Sequence, residues 1–309
     1  MHKPPRLAGA ALALALACLA PSGHAQHKAA TAAAVLDTAA IEQATGMKGA
    51  LSKEENVFKV SKPRNDLPIS VDGWRMPPFM GLTSWAAFTP AQRGTAMVMG
   101  DMVLLEDEVN AAMSAALDNG LEVTALHNHF FFDQPKVYFM HIGGMGPTDR
   151  LAAGVRKVLD TPAQVRNANE GAPKSFGGPG IASENRISGE PIAKIFGMQG
   201  EASDGMYKVT IGRTAKMHGV TAAKEMGVNT WAAFAGTDAE AVVDGDFAVR
   251  ENELQPVLKS LRSGGINIVA IHQHMTHEQP RYVFLHYWGK GRAEDLARGV
   301  KKAVELTAK

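Results

Sequence analysis

Cysteine is almost absent: Cys18 is the only one in 309 residues. It sits in the apolar N-terminal run, so a chain cut after that run has no disulfide, no thiolate metal site and no cysteine nucleophile. Charge of one sign is also lacking. Thirty-two Lys and Arg stand against 31 Asp and Glu, for a net charge of +1. There is no basic block, which gives nothing for nucleic acid or an anionic membrane to grip. Beyond the first 25 residues no apolar run approaches the length of a membrane-spanning helix, so stable membrane insertion is not expected. A Gly-rich run, Gly177-Gly178-Pro179-Gly180, lacks the Lys-Ser/Thr of a phosphate-binding P-loop.

The N-terminus itself reads as a secretory signal over residues 1–25. Lys3 and Arg6 precede the run Leu7–Ala20, and Gly23-His24-Ala25 offers small residues for cleavage before Gln26. The expected location is periplasmic or secreted. Leu16-Ala17-Cys18 is a weak lipoprotein-like site, because Ala15 occupies the position where Leu is favoured.

What the chain does have is repetition. Trp85-Ala86-Ala87-Phe88 recurs as Trp231-Ala232-Ala233-Phe234, and Gly100-Asp101 as Gly245-Asp246. Ala125-Leu126-His127-Asn128-His129 recurs as Ala270-Ile271-His272-Gln273-His274, and His141 as His286. From Asp101 onward the offset is a constant 145 residues, too long for a solenoid repeat and right for two copies of one domain. We place copy one at 35–160, a Gly/Pro/Asn-rich linker at 161–186, and copy two at 187–309. The periodicity predicts helices over Thr38–Thr45, Glu106–Asn119 and Asp149–Leu159 in copy one. In copy two it predicts Pro191–Phe196, a helix ending at Ser263 and Arg292–Leu306. Pro256 is tolerated only in a first turn, which places the start of that middle helix near Glu253. Apolar strands fill the intervals, and the fold class is α+β with antiparallel strands. Two identical domains in one chain are expected to pack as a pseudo-two-fold dimer through like surfaces.

The histidines carry the chemistry. Beyond the leader and His27 at the mature terminus, all but His218 fall in two stretches: His127, His129 and His141, then His272, His274, His277 and His286. Strand residues i and i+2 share a face. A hairpin centred on Gln134 sets His127 opposite His141, and one centred on Gln279 sets His272 opposite His286. Three imidazoles on one face suit Zn²⁺ or another divalent first-row ion. The carboxylates retained in both copies are Asp101/Asp246, Glu106/Glu251 and Glu108/Glu253. The Asp pair is placed to ligate a metal or orient a histidine. The Glu residues sit where a helix begins and suit its dipole. Met97 and Met99 share a strand face, where core packing is the simple reading and copper binding the sharper one. Trp85 and Trp231 fit a half-buried strand.

Three functional readings follow. In the first, the hairpin histidines bind a divalent metal in an exported protein. In the second, the metal activates water in a hydrolase, with Glu108 or Glu253 as general base. In the third, the histidines hydrogen-bond a small cell-envelope ligand without metal. No HExxH signature supports the second.

The stretches Met80–Phe88, Met99-Gly100-Asp101-Met102-Val103-Leu104, Glu106–Asn110, Glu122–Phe130 and Phe139–Gly144 resemble the LppY/LpqO family, a bacterial exported domain of unknown function. Copy two has diverged further, with Gln273 for Asn128 and Tyr287-Trp288 for Ile142-Gly143. The resemblance implies export and domain identity, and no reaction.

Overall fold

The computed structural model describes residues 36–92, 95–169, 171 and 174–308. The leader assigned to residues 1–25 lies outside them. Copy one runs α1 (Thr38–Thr45), β1 (Gly49–Ser52), β2 (Val57–Pro63), β3 (Ser70–Val71), β4 (Trp74–Arg75), β5 (Thr83–Pro90), β6 (Ala96–Leu105), α2 (Glu106–Asp118), β7 (Glu122–His127), β8 (Asp133–Gln134), β9 (Val137–Gly146) and α3 (Thr148–Ala168). Copy two runs α4 (Gly189–Phe196), β10 (Glu201–Ser203), β11 (Met206–Gly212), β12 (Ala215–Met217), β13 (Val220–Ala222), β14 (Asn229–Gly236), β15 (Ala241–Arg250), α5 (Glu251–Ser263), β16 (Asn267–His272), β17 (Glu278–Gln279), β18 (Tyr282–Gly291) and α6 (Ala293–Val304).

Local chemistry sets these boundaries. The Asp37 carboxylate accepts from the Ala40 amide at 2.9 Å and starts α1, and Gly46 at φ +69° ends it. Strand β14 alternates strictly between buried and half-buried residues, as a sheet with two different faces requires. Six strands from each copy form one 12-stranded antiparallel sheet, ordered β1-β2-β5-β6-β9-β7-β16-β18-β15-β14-β11-β10. The copies meet at its centre, where β7 runs beside β16 with Leu126 opposite Ile271. Helices α2, α3, α5 and α6 pack on one face, and one apolar core runs through both copies. On the other face, small three-stranded flaps (β4-β3-β8 and β13-β12-β17) cover satellite cores around Phe139 and Phe284.

Side-chain amides stitch the central seam. Asn110 of α2 donates to the Ile268 carbonyl at 3.1 Å and accepts from its amide at 2.7 Å. Gln255 of α5 does the same for Val123, at 2.8 and 2.9 Å. These residues are each other's counterparts at the 145-residue offset, so the contact is reciprocal.

Three expectations need correction. The helix predicted over Asp149–Leu159 ends too early, because α3 continues to Ala168. Pro162 breaks the ladder within it, but Lys62 Nζ donates to the Leu159 carbonyl at 2.6 Å, and Arg166 is anchored beyond the break by Asp107 and Glu108. Helix α5 starts at Glu251, so Pro256 lies inside it; the ring is exposed, and water can satisfy the carbonyl it deprives. Neither hairpin is centred on Gln134 or Gln279. Instead His127 opposes Phe139 and Ala125 opposes His141, while His272 opposes Phe284 and Ala270 opposes His286. The physical reason lies in the loops. β8 and β17 peel away to pair with the flaps, and Asp133 and Glu278 cap the returning strands through the amides of Val137 (2.7 Å) and Tyr282 (3.2 Å). The slip is by an even number of residues, so no side chain changes face.

Candidate metal centre

The histidines stand on the sheet face opposite the helices. His127 and His141 alternate with the core residues Leu126, Met140 and Ile142, as His272 and His286 do with Ile271, Leu285 and Tyr287. His129 and His274 lie just past the strand ends and fold back to stack on Phe139 and Phe284, with ring centroids 3.3 and 3.6 Å apart. That stacking gathers three rings despite the slipped register. His127 lies 5.1 Å from His141 and 5.2 Å from His129, centroid to centroid. His272 lies 4.9 Å from His286 and 5.1 Å from His274. The aspartates join from the next strand: Asp101 is the direct partner of His141 and Asp246 of His286.

Copy two is the tighter constellation. Asp246, His272 and His274 each present a ligand atom, and these atoms lie within 4.8 Å of one another. His274 Nε2 is 3.2 Å from Asp246 Oδ2. His274 Nδ1 faces the Gly227 carbonyl at 3.3 Å, and His286 Nδ1 faces the Gly245 carbonyl at 3.2 Å. A carbonyl only accepts, so each Nδ1 carries the hydrogen and leaves Nε2 with a lone pair in the neutral ring. The His274 lone pair and the Asp246 carboxylate are then two acceptors in contact, which requires a proton or a cation between them.

Burial sharpens this. Asp246 is 2% exposed, and among the described residues its Oδ1 has no hydrogen-bond partner; nor does His272 Nδ1. Burial pushes the Asp246 carboxyl up to about 7 against the opposing pull of His286 and the backbone amides of Leu285 and Phe247. Burial, then repulsion from His286 and His274, brings His272 down to about 4. His274 is also lowered, by burial first, although its bond to Gly227 works the other way. Neutral imidazoles beside a carboxyl that a proton can leave are the states from which metals are bound. Copy one repeats the parts more loosely. Among the described residues Asp101 Oδ1 is buried without a partner, and His129 is lowered by burial despite the nearby Asp101.

A model of the family described as Domain of Unknown Function (DUF1259) matches residues 39–161 and again residues 190–306. The chain belongs to that family. Each DUF1259 segment contains a full set of one aspartate and three histidines, so the duplication carries the site with it. No curated protein matches the chain. Among solved structures, the trimeric bacterial microcompartment shell protein PduB is similar over 84% of this chain and 89% of its own, at 12% identity. Its TM-score of 0.19 carries no argument.

Glu108 and Glu253 occupy a different place in each DUF1259 segment. Each is the third residue of its helix and accepts from the amide before it, Leu105 at 2.9 Å and Arg250 at 2.8 Å. Each is held by an arginine, Arg64 Nη1 at 2.6 Å and Arg213 Nη1 at 2.6 Å. Among the described residues none of their hydrogen bonds or ion pairs involves a histidine. Burial raises Glu253, but Arg213 and the amides of Arg250 and Ala308 outweigh it, so its carboxyl titrates below the ordinary range. The structure therefore does not bring Glu108 or Glu253 to the histidines, and a carboxylate so held is a poor general base.

Several members of the site escaped the sequence reading. Phe139 and Phe284 seat the third histidine, and the Gly227 carbonyl orients one. The phenylalanines are retained at the 145-residue offset, so the signal was present. Gly227 is also retained, as the counterpart of Gly81 at the 146-residue offset of Trp85 and Trp231, but it lies in a segment remote in sequence from His274, so the repeat alone does not join the two.

Proposed function

We propose that this is an exported protein of the LppY/LpqO kind that binds a divalent first-row metal on its histidine face, with Asp246, His272 and His274 as ligands and His286 beside them. Copy one offers Asp101, His127, His129 and His141 as the equivalent set. The observation that carries the proposal is the pairing of His274 Nε2 with Asp246 Oδ2 at 3.2 Å, two acceptors that only a shared proton or a cation can hold together, with His272 offering a further ligand atom within 4.8 Å. A zinc ion with nitrogen and oxygen ligands at about 2.0–2.2 Å in a tetrahedral shell sets them roughly 3.3 Å apart. Nitrogen and oxygen donors favour Zn²⁺ and its first-row neighbours, and the mature chain offers no thiolate to compete. The Gly227 and Gly245 carbonyls would act as the outer partners that fix ring orientation. The reciprocal amide contacts at the seam support an intrachain pseudo-dimer that sets the two histidine faces side by side.

Elemental analysis of untagged protein purified from the cell envelope tests this. The wild type should carry at least one zinc or other first-row metal per chain, and Asp246→Asn with His274→Ala should lose one equivalent while keeping the wild-type circular dichroism. N-terminal sequencing of the same sample should begin at Gln26. Wild-type protein that holds no metal, and gains no thermal stability from added Zn²⁺, Mn²⁺ or Ni²⁺, refutes the proposal.

A further inference from the structure

Three methionines lie together on the histidine face of copy one, where a sheet would ordinarily place polar side chains. Met97 on β6 and Met145 on β9 are direct cross-strand partners, and Met99 lies two residues along β6 on the same face. They are 37%, 70% and 57% exposed, so core packing does not account for them. Opposed strand residues have Cβ atoms about 4.5–5.5 Å apart, within easy reach of convergence for three flexible thioethers. The neighbouring positions on this face leave room for it. Met99 stands between Ala87 and Gly143, and Met97 has Thr89 on its other side. A Cβ added at Gly143 would meet nothing closer than 3.7 Å.

Copy two supplies an internal contrast. At the same offset, Met97 becomes Val242, Met99 becomes Asp244 and Met145 becomes Lys290. All three sulfurs vanish together while Asp101/Asp246 and all three histidine pairs persist, so the trio is a feature separate from the shared histidine site. Thioether sulfur is a soft, uncharged donor. It disfavours Zn²⁺, Ca²⁺ or Mg²⁺ relative to harder ligands and selects Cu(I) and similar soft monovalent ions. Three neutral sulfurs open to solvent make a site that gains or loses an ion without moving a proton.

We infer that Met97, Met99 and Met145 form a surface site for a soft monovalent metal ion, Cu(I), built into copy one alone and independent of the histidine centre. The probe is Ag(I), a redox-inert stand-in, followed on the full chain by the ¹³C-methyl resonances of its methionines. Cu(I) uptake is then measured anaerobically against a chromophoric Cu(I) chelator. Ag(I) should shift the methyl signals of Met97, Met99 and Met145 first and together. Met97→Leu, Met99→Leu and Met145→Leu, which keep the apolar shape and remove sulfur, should abolish one equivalent of Cu(I) uptake, whereas His127→Ala with His272→Ala should leave that equivalent in place. Ag(I) that leaves these three signals unmoved, or a triple variant that takes up Cu(I) like the wild type, overturns the inference. The wild-type methyl spectrum decides the matter even if the triple variant folds poorly. A Cu(I) equivalent lost only in the histidine variant returns the ion to the histidine centre and also overturns it.

Discussion

At the scale of single residues, the retained charges divide into two kinds. Among the described residues Asp101 and Asp246 are buried with an unpartnered oxygen, whereas Glu108 and Glu253 are buried with every oxygen engaged. The second kind holds the fold. Glu253 closes the start of α5, pairs with Arg213 and accepts from the Ala308 amide at 2.9 Å, tying the C-terminal end to the helix. Its folded-state carboxyl titrates below its unfolded value, so its stabilisation is present above the unfolded pKa and fades as the pH falls through the folded one. Glu253→Gln should therefore cost about 3 kcal/mol at neutral pH, because it leaves Arg213 half-compensated in a buried site. In urea titrations from pH 7 downward, the gap to wild type should narrow as the carboxylate range is crossed. A gap independent of pH would mean that packing, and not the ion pair, was lost. Both arginines could have been found in advance. Arg64 and Arg213 are retained between the copies just after matching strands, but a lone arginine in a loop carries no periodic signal. The histidines were legible because they repeat at strand spacing, and the aspartates because they interrupt apolar strands.

At the scale of elements, the boundaries that sequence revealed are those with a local cause. Helix α1 ends at a left-handed glycine, and α2 ends one residue before the predicted Asn119. What sequence could not reveal is set by distant partners. The continuation of α3 past Pro162 depends on Lys62 and on Asp107, and the slipped register of β7 with β9 depends on flap strands that draw β8 away. The bulges between Val123 and Ala125, and between Ile268 and Ala270, are also non-local. Beside each bulge a strand amide and carbonyl turn towards the other copy's helix, where Gln255 and Asn110 meet them. Asn110→Ala should destabilise the protein by about 1–3 kcal/mol, since it strands both backbone groups of Ile268 in a buried setting. Gln255→Ala should cost less, because its environment is only half-buried. Thermal unfolding of the two variants checks the order. If Gln255→Ala proves the more damaging, the seam is not held as these contacts indicate.

At the scale of the whole molecule, the duplication explains why the chain makes one sheet instead of two beads. A six-stranded half ends in β7, whose outer edge carries unpaired backbone groups above an apolar core that includes Leu126. In the full chain β16 covers that edge, and the covering surface is the same patch from the other copy. Such a patch is self-complementary, because residue and counterpart exchange roles across it. A copy-one fragment, residues 26–169, should therefore pair with itself through β7, with Leu126 near its own equivalent and Asn110 reaching the backbone of Val123 in the second molecule. Size-exclusion chromatography with light scattering should report a dimer of the fragment. Asn110→Ala in that fragment should weaken the dimer at micromolar concentration, whereas the same substitution in the full chain leaves a monodisperse protein, because there the two halves are covalently joined and their effective concentration is high. A fragment that is monomeric and folded would show that β7 needs no partner strand. The pairing in the full chain would then be a consequence of tethering alone.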